Sequence, residues 1–136
     1  EKLANALALL NMEYVIVFAG YGNIDELSLA GTNTYFVVRG HQPPRRYTIT
    51  AHEMGLTPAD NAALAGGDLQ ENMRIARSIL AGTGTSAQHD VVVFNAAAAI
   101  MAAEAAGDWH EAIAQARTAI ASGAAAHQLA LASSAL

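Results

Sequence analysis

A short apolar run that leads into a glycine-spaced loop limits what this chain can build. Residues 14–19 read YVIVFA, with β-branched and aromatic side chains and no polar alternation. Such a run is typical of a strand buried on both faces, as in a parallel sheet. The loop that follows, residues 20–24, contains two glycines and ends at two adjacent acids, Asp25 and Glu26. A buried strand that ends in a flexible loop is where α/β proteins place ligand chemistry.

The acid pair, Asp25 and Glu26, is the main candidate for chemistry, and the residues alone leave two interpretations open. In the first, the pair lies in a solvated turn, where Asp25 caps the segment that follows and Glu26 faces water. In the second, the two carboxylates bind a cation, because neighbouring like charges repel unless a cation or solvent compensates. Carboxylate oxygens are the hard ligands that hold Mg²⁺ against a phosphate.

Length and charge exclude several classes of protein. The 136 residues suffice for one domain with a core and are too few for two. Acidic residues outnumber basic ones by 12 to 7, which gives a net charge of −5. Nucleic-acid binding usually depends on a basic patch, and the densest basic cluster here is only Arg45 and Arg46. We therefore expect no nucleic-acid partner.

The cysteine content and the chain start bear on the compartment. No cysteine is present, which excludes disulfides, thiolate nucleophiles and cysteine-based metal sites. The first residues do not form a signal peptide. The longest apolar run, residues 91–103, contains Asn95 and is shorter than the roughly 20 residues of a membrane span. These features predict a cytoplasmic protein without a membrane segment, and the start at Glu1 inside a helical pattern predicts a segment of a longer protein.

Other candidate sites are weaker than the acid pair. The loop glycines lack the third glycine and the later acid of a dinucleotide fingerprint, and the histidines never have the spacing of a helix-borne metal site. Residues 66–68, Gly-Gly-Asp, are predicted to be a turn and a helix N-cap in preference to a phosphate loop. We expect Asn95 to bond a backbone group in the core and Trp109 to be a packing anchor.

The remaining pattern predicts an α/β fold in which strands come first and helices follow. A first helix, residues 2–11, is predicted to pack on one side through its leucines. Residues 27–29 alternate like a short strand, and residues 34–38 and 45–50 are predicted to pair antiparallel through a long hairpin. We expect a partial mixed or parallel sheet flanked by helices, with a helix-rich second half. After short helical pieces within 51–67, the predicted helices are 68–80, 89–106, 109–121 and 124–132.

Five short segments match, in order, the motifs of one enzyme family. They are GYGNIDELSL (residues 20–29), YTIT with MGL (47–56), GGD with EN (66–72), FNAAA (94–98) and IASGAA (120–125). Together they resemble the anthranilate phosphoribosyltransferases, whose patterns are HG-x-DGLDE-[IL]-S, Y-x-[IL]-x-P-x-x-[FL]-G-L, GGD-x-x-EN, LNAAA and I-D-S-G-K-A. The match spans nearly the whole chain. The chain departs from these patterns at Ala19, Gly22, Asn23 and Ala124.

The resemblance implies transfer of the phosphoribosyl group of phosphoribosyl diphosphate (PRPP) to the amine of anthranilate, a step of tryptophan biosynthesis. It implies that Asp25 and Glu26 bind Mg²⁺, which would neutralise the departing diphosphate. It also implies that residues 1–136 form the C-terminal portion of the α/β phosphoribosyltransferase domain, without the family's N-terminal helical domain and PRPP loop. The chain alone would be inactive, its partner would be that missing N-terminal part, and the intact enzyme would be a homodimer.

Two alternatives to the transferase remain open. One is a pyrimidine nucleoside phosphorylase of the same fold family, although those enzymes carry a further C-terminal domain of which the sequence gives no sign. The other is a non-catalytic relative that keeps the fold and binds nucleic acid. The acidic balance and the retained acid pair argue against the second alternative.

Overall fold

The structure is a computed structural model that describes residues 1–134. Within them a small sheet with one covering helix precedes a group of helices. The helices are α1 (Lys2–Leu9), α2 (Leu69–Leu80), α3 (Ser86–Ala102), α4 (Trp109–Ala121) and α5 (Ala124–Ser134), and the strands are β1 (Val15–Ala19), β2 (Asn33–Val38) and β3 (Arg45–Ile49). Two 3₁₀ turns, His52–Met54 and Asn61–Leu64, connect the sheet to α2.

The three strands form one antiparallel sheet in the order β1–β2–β3. Val15 lies opposite Val38 in the first pair, and Asn33 lies opposite Ile49 in the second. The antiparallel pairing predicted for the second and third strands is confirmed. The parallel pairing expected for β1 is wrong for the described strands. Residues 20–32 between β1 and β2 form no crossover helix, and parallel neighbours need such a crossover.

The unbroken apolar run of β1 reflects cover on both faces of the sheet. Val15 and Val17 pack with Ala4 and Ala8 of α1, while Phe18 packs against the main core on the helical side. A strand covered on both faces selects apolar residues at every position, whichever way its neighbour runs. The strand is only half-buried over Val15–Phe18 and is exposed at Ala19, so the run overstates the burial of β1 and predicts its direction incorrectly.

Helix α1 packs through its alanines, and the predicted packing through the leucines is wrong for Leu3 and Leu10. Ala4 is 0% exposed, whereas Leu3 is 60% and Leu10 is 70% exposed. The alanine stripe at residues 4 and 8 brings the helix close to the strands, because a methyl side chain leaves little between the two backbones. The large leucine side chains are left on the outer surface.

Residues 27–29 belong to no strand, although the sequence predicted one. Leu27 and Leu29 are buried in the main core, and Ser28 between them is buried too. The backbone of this segment is held by the side chains of Asn33 and Asn95 and not by a neighbouring strand. The alternating pattern thus indicated buried leucines correctly, but among the described residues no neighbouring strand pairs with this segment.

Helices α3 and α4 provide most of the main core. Their buried apolar positions are half alanine and half larger side chains, the latter being Val93, Phe94, Ile113 and Ile120. Trp109 packs edge-on against Tyr35 at 5.5 Å between ring centroids, and its Nε1–H donates to the Tyr35 hydroxyl at 3.2 Å. The prediction of Trp109 as a packing anchor is confirmed. Among the described residues no helix is both long and apolar enough to cross a membrane.

Side-chain caps fix the starts of three helices. Asp68, Thr85 and Asp108 each accept a hydrogen bond from the backbone N–H three residues later. Thr85 and Gln88 form the full reciprocal capping box. Helix α3 therefore begins at Ser86, earlier than the predicted residue 89.

Candidate functional site

Residues 20–28, here called the acid loop, continue from the end of β1 and carry the acid pair. Gly20 forms an antiparallel bridge with Ile24, and its N–H donates to the Ile24 carbonyl at 3.0 Å. Between them the chain turns through Gly22 at φ +84° and Asn23 at φ +61°. Glycine and asparagine adopt these left-handed values more easily than other residues. The bridge closes the turn immediately before the acid pair.

Gly20 is required by a close approach of two backbone segments. A Cβ at this position would lie 1.9 Å from the carbonyl oxygen of Glu26 and 2.7 Å from the Cγ1 of Ile24. The chain entering the acid loop therefore passes directly against the chain carrying the acids. The glycine in the sequence pattern has a steric cause at this position.

Asp25 and Glu26 are both exposed and line an open cleft of about 260 Å³. The other lining residues are the apolar Ile24, Leu64 and Val91 and the amide Asn61. None of these lining residues is basic. Because neighbouring carboxylates repel each other, the cleft is a place where a cation would be stabilised.

Asn33, the first residue of β2, connects the two ends of the acid loop from the buried side. It is 0% exposed. Its Oδ1 accepts from the N–H of Tyr21 at 3.1 Å and from the N–H of Ser28 at 2.8 Å. Its Nδ2 donates to the carbonyls of Ser28 at 3.0 Å and Ile49 at 3.2 Å. One side chain thereby satisfies backbone groups of the loop and of the sheet, as buried polar groups require.

Asn61 connects the same two ends of the loop from the cleft side. Its Oδ1 accepts from the hydroxyl of Ser28 at 2.6 Å, and its Nδ2 donates to the carbonyl of Tyr21 at 3.1 Å. The hydroxyl of Ser28 in turn accepts from the N–H of Ala30 at 2.9 Å. The loop is thus tied to the 3₁₀ turn that begins at Asn61.

Asn95 holds the backbone directly after the acid pair. Its Oδ1 accepts from the N–H of Leu27 at 2.8 Å, and its Nδ2 donates to the Leu27 carbonyl at 3.0 Å and to the Val91 carbonyl at 3.0 Å. The expectation that Asn95 bonds a backbone group in the core is confirmed. The acid pair therefore projects from a loop whose backbone is fixed on both sides.

The donor set of the cleft fits Mg²⁺ in part. Mg²⁺ prefers hard oxygen ligands, keeps several waters, and binds proteins through one or two carboxylates together with substrate phosphates. Asp25 and Glu26 supply two such carboxylates. No group of three or more His, Cys, Asp or Glu in the part of the chain that the structure describes could hold a metal ion. The pair therefore suits an ion whose remaining ligands are water and phosphate.

The pKa shifts of Tyr14, Glu53 and Glu71 have causes in their immediate surroundings. Burial raises the pKa of Tyr14, and the Arg39 guanidinium, 4.1 Å from the ring centroid, opposes that shift. Hydrogen bonds from Thr50 lower the pKa of Glu53, and the hydrogen bond from Arg74 lowers the pKa of the exposed Glu71. Each shift has a local structural cause, burial for Tyr14 and a hydrogen-bond partner for Glu53 and Glu71, so none of them marks a second candidate site.

A larger surface depression, of about 580 Å³, runs along α2. Its charged lining includes Glu71 and Arg74, which pair with each other at 2.8 Å between Oε2 and Nε. Residues 66–68 at the start of α2 form the predicted turn and N-cap, with the Asn72 side chain bonded to the N–H and carbonyl of Gly67. We favour the smaller cleft because its two carboxylates have no cation beside them among the lining residues.

Sequence reasoning identified the acids but missed the asparagines that hold them. Sequence reasoning assigns no supporting role to Asn33, Asn61 or Ser28. Asn33 carried a weak signal, because a polar residue opens an otherwise apolar strand. Asn61 carried none, since its partners lie 33 and 40 residues away in sequence.

Comparison with known proteins places the chain in a family. The sequence profile of the family described as "Glycosyl transferase family, a/b domain" matches residues 1–126. The chain belongs to this family. Among its curated relatives is the anthranilate phosphoribosyltransferase of Roseiflexus castenholzii, 46% identical over 129 residues. The enzyme of the same name from Chloroflexus aurantiacus is 43% identical over 129 residues.

The family members that match are much longer than this chain. Each of these two alignments covers 95% of the chain and 38% of the relative. The anthranilate phosphoribosyltransferase of Thermus thermophilus superposes with a TM-score of 0.75 at 34% identity, covering 89% of this chain and 35% of that one. The Saccharomyces cerevisiae enzyme in complex with PRPP and Mg superposes with a TM-score of 0.82 at 25% identity, covering 94% and 37%. The α/β fold class is thereby confirmed.

Proposed function

We propose that this chain is the C-terminal portion of the α/β domain of an anthranilate phosphoribosyltransferase. The intact protein transfers the phosphoribosyl group of PRPP to the amine of anthranilate in tryptophan biosynthesis. Identity of 46% to an enzyme of that name over 95% of the chain supports this proposal. A related solved structure holds PRPP and Mg together, which supports the same chemistry for the longer protein.

The observation that carries the proposal is the exposed acid pair on its fixed loop. In this proposal Asp25 and Glu26 hold Mg²⁺ through their carboxylate oxygens, and the remaining ligands are water and the phosphates of PRPP. The ion supplies positive charge to the diphosphate as it departs. The side chains of Ile24, Leu64 and Val91 line the rest of the cleft and offer no positive charge that would compete with a cation for the carboxylates.

The role of this chain in the transfer is to position charge. During the reaction the bond from C1 of the ribose to the diphosphate oxygen breaks, a bond from C1 to the amine nitrogen forms, and the amine releases a proton. The acid loop places its carboxylates before the reaction begins, so little reorganisation is needed as charge develops. No acid–base role is assigned to Asp25 or Glu26, and no other catalytic side chain is proposed in this portion.

The rest of the protein is the proposed partner of this chain. The chain spans 38% of the length of its curated relatives, and the resemblance puts the PRPP loop and the helical domain upstream. Leu9 is 83% and Leu10 is 70% exposed at the end of α1, a surface that a further part of the protein would cover. The intact enzyme is proposed to be a cytoplasmic homodimer, and this chain alone to be inactive.

The reaction itself tests the proposal. Full-length protein with PRPP, anthranilate and Mg²⁺ is expected to form the phosphoribosyl adduct of anthranilate and diphosphate, measured by mass spectrometry. Chelation of Mg²⁺ should stop the reaction, and residues 1–136 alone should give no product. Phosphorolysis of a pyrimidine nucleoside without transfer to anthranilate would overturn the assignment, and turnover by residues 1–136 alone would contradict the claim of an inactive portion.

A further inference from the structure

The acid loop is tied at both ends by Asn61, a residue outside the loop. The Asn61 side chain bonds the carbonyl of Tyr21 at 3.1 Å and the hydroxyl of Ser28 at 2.6 Å. Tyr21 precedes the acid pair and Ser28 follows it, so one amide bridges the segment from which both carboxylates project. Asn61 is itself partly exposed and lines the same cleft as Asp25 and Glu26.

The two asparagines that connect the loop ends differ in surroundings. Asn33 is fully buried and also bonds the Ile49 carbonyl in β3, so it supports the sheet as well as the loop. Asn61 bonds the loop alone: its side-chain bonds go to Tyr21 and Ser28. It begins a 3₁₀ turn of four residues with no buried member. Its loss is therefore expected to alter the loop more than the fold.

We propose that Asn61 is a positioning residue that holds the acid loop in the geometry in which Asp25 and Glu26 bind a divalent cation. The proposal rests on the function proposed above. Adjacent carboxylates repel and tend to turn apart, so a loop free to relax presents them less favourably to one ion. Hydrogen bonds around ligand residues fix ligand orientation, and their removal typically lowers metal affinity about 10- to 100-fold.

Substitution of Asn61 in the full-length protein tests the proposal. Asn61→Leu keeps the approximate shape of the side chain and removes both hydrogen bonds, and Ser28→Ala removes one of them. Both variants are expected to raise the Mg²⁺ concentration for half-maximal transfer about tenfold or more. The rate at saturating Mg²⁺ should return close to that of the wild type. A purely structural role would lower that maximal rate and leave the Mg²⁺ requirement unchanged.

Gln115→Leu is the matched control. The Gln115 amide also donates to a backbone carbonyl, that of Ala105 at 3.0 Å, but this bond lies at the α3–α4 connection. The control should show the wild-type Mg²⁺ dependence. Ser28 is buried, so if Ser28→Ala fails to fold, Asn61→Leu decides the outcome.

The variant Asp25→Asn with Glu26→Gln separates the two claims. If it removes the Mg²⁺ response while Asn61→Leu behaves like the control, the positioning role is wrong and the metal role stands. If the Mg²⁺ response survives in the double variant, the proposed metal role itself fails. Loss of the Mg²⁺ response in the double variant, with a raised Mg²⁺ requirement in Asn61→Leu and not in the control, supports both claims.

Discussion

At the scale of single residues, the side chains that line the cleft differ from those that hold the acid loop in place. The carboxylates of Asp25 and Glu26 are exposed and line the cleft. Asparagines 33, 61 and 95 hold the backbone around them through hydrogen bonds to N–H and carbonyl groups. Side-chain amides suit this task because each can donate and accept at once. The proposed metal binding and the support of the loop therefore fall to different residues.

Gly20 gives a prediction at this scale. Gly20→Ala is expected to lower the free energy of unfolding by about 1–3 kcal/mol, because the added methyl must displace backbone, its ideal position being 1.9 Å from the Glu26 carbonyl oxygen. Urea denaturation measures the change. Gly107→Ala is the control, since its nearest neighbour is the flexible tip of Glu111 at 3.3 Å. Equal stability of the two variants would show that the close approach at Gly20 is absent.

The residues also show what one sequence can reveal. Two adjacent acids after an apolar strand form a local pattern, so the pair could be found without a structure. The bonds of Asn95 reach 68 residues back to Leu27, and those of Asn61 reach 40 residues back to Tyr21. A lone asparagine within an apolar helix indicates that it has a partner in the core, but nothing in the sequence says which partner it has.

At the scale of elements, capping side chains mark the residues at which α3 and α4 begin. Thr85 and Gln88 bond each other's backbone N–H groups at the start of α3. At the start of α4, Asp108 caps the helix, but the Glu111 carboxylate bonds the N–H of Gly107 at 2.7 Å and not that of Asp108. Both helices begin at the residue after the capping side chain, but the reciprocal bond of the capping box forms only at α3.

Thr85 gives the prediction for an element. Thr85→Ala removes the capping hydroxyl of α3 and is expected to lower the free energy of unfolding by about 1 kcal/mol. Thr118→Ala is the matched control, because Thr118 is exposed within α4 and its hydroxyl bonds the Ala114 carbonyl one turn earlier. Alanine is the better helix former there, so that variant should be as stable as the wild type or more stable. Denaturation midpoints compare the two, and equal losses would contradict the capping role.

Strand direction was the element-scale property that the sequence could not fix. β1 lies between α1 on one face and the main core on the other. An apolar run at this position is compatible with a parallel or an antiparallel neighbour. The hairpin of β2 and β3 was predictable because both strands and their turn lie close in sequence. The sequence pattern predicted that the leucines of α1 pack against the rest of the protein. In the structure Ala4 and Ala8 make that contact, because the helix lies close to the strands and alanine leaves room for this approach.

At the scale of the whole molecule, residues 1–134 form one main core and one smaller cluster. The main core joins α3 and α4 to the segment after the acid loop, and the smaller cluster lies between α1 and the sheet. The outer surface of α1 carries exposed leucines, which fits a portion of a longer enzyme whose remaining length would cover it. The cleft at the acid loop forms one wall of the proposed site, and the proposed function assigns PRPP binding to the rest of the longer protein.

The central claim is that Asp25 and Glu26 bind the Mg²⁺ used in the transfer. The most direct measurement is the transfer rate of the full-length protein against Mg²⁺ concentration, for the wild type and for Asp25→Asn with Glu26→Gln. The control, Glu1→Gln with Glu13→Gln, removes two exposed charges elsewhere. The double variant should lose the Mg²⁺-dependent rate by at least about 100-fold, and the control should keep the wild-type curve. A double variant with the same Mg²⁺ curve as the wild type would contradict the claim.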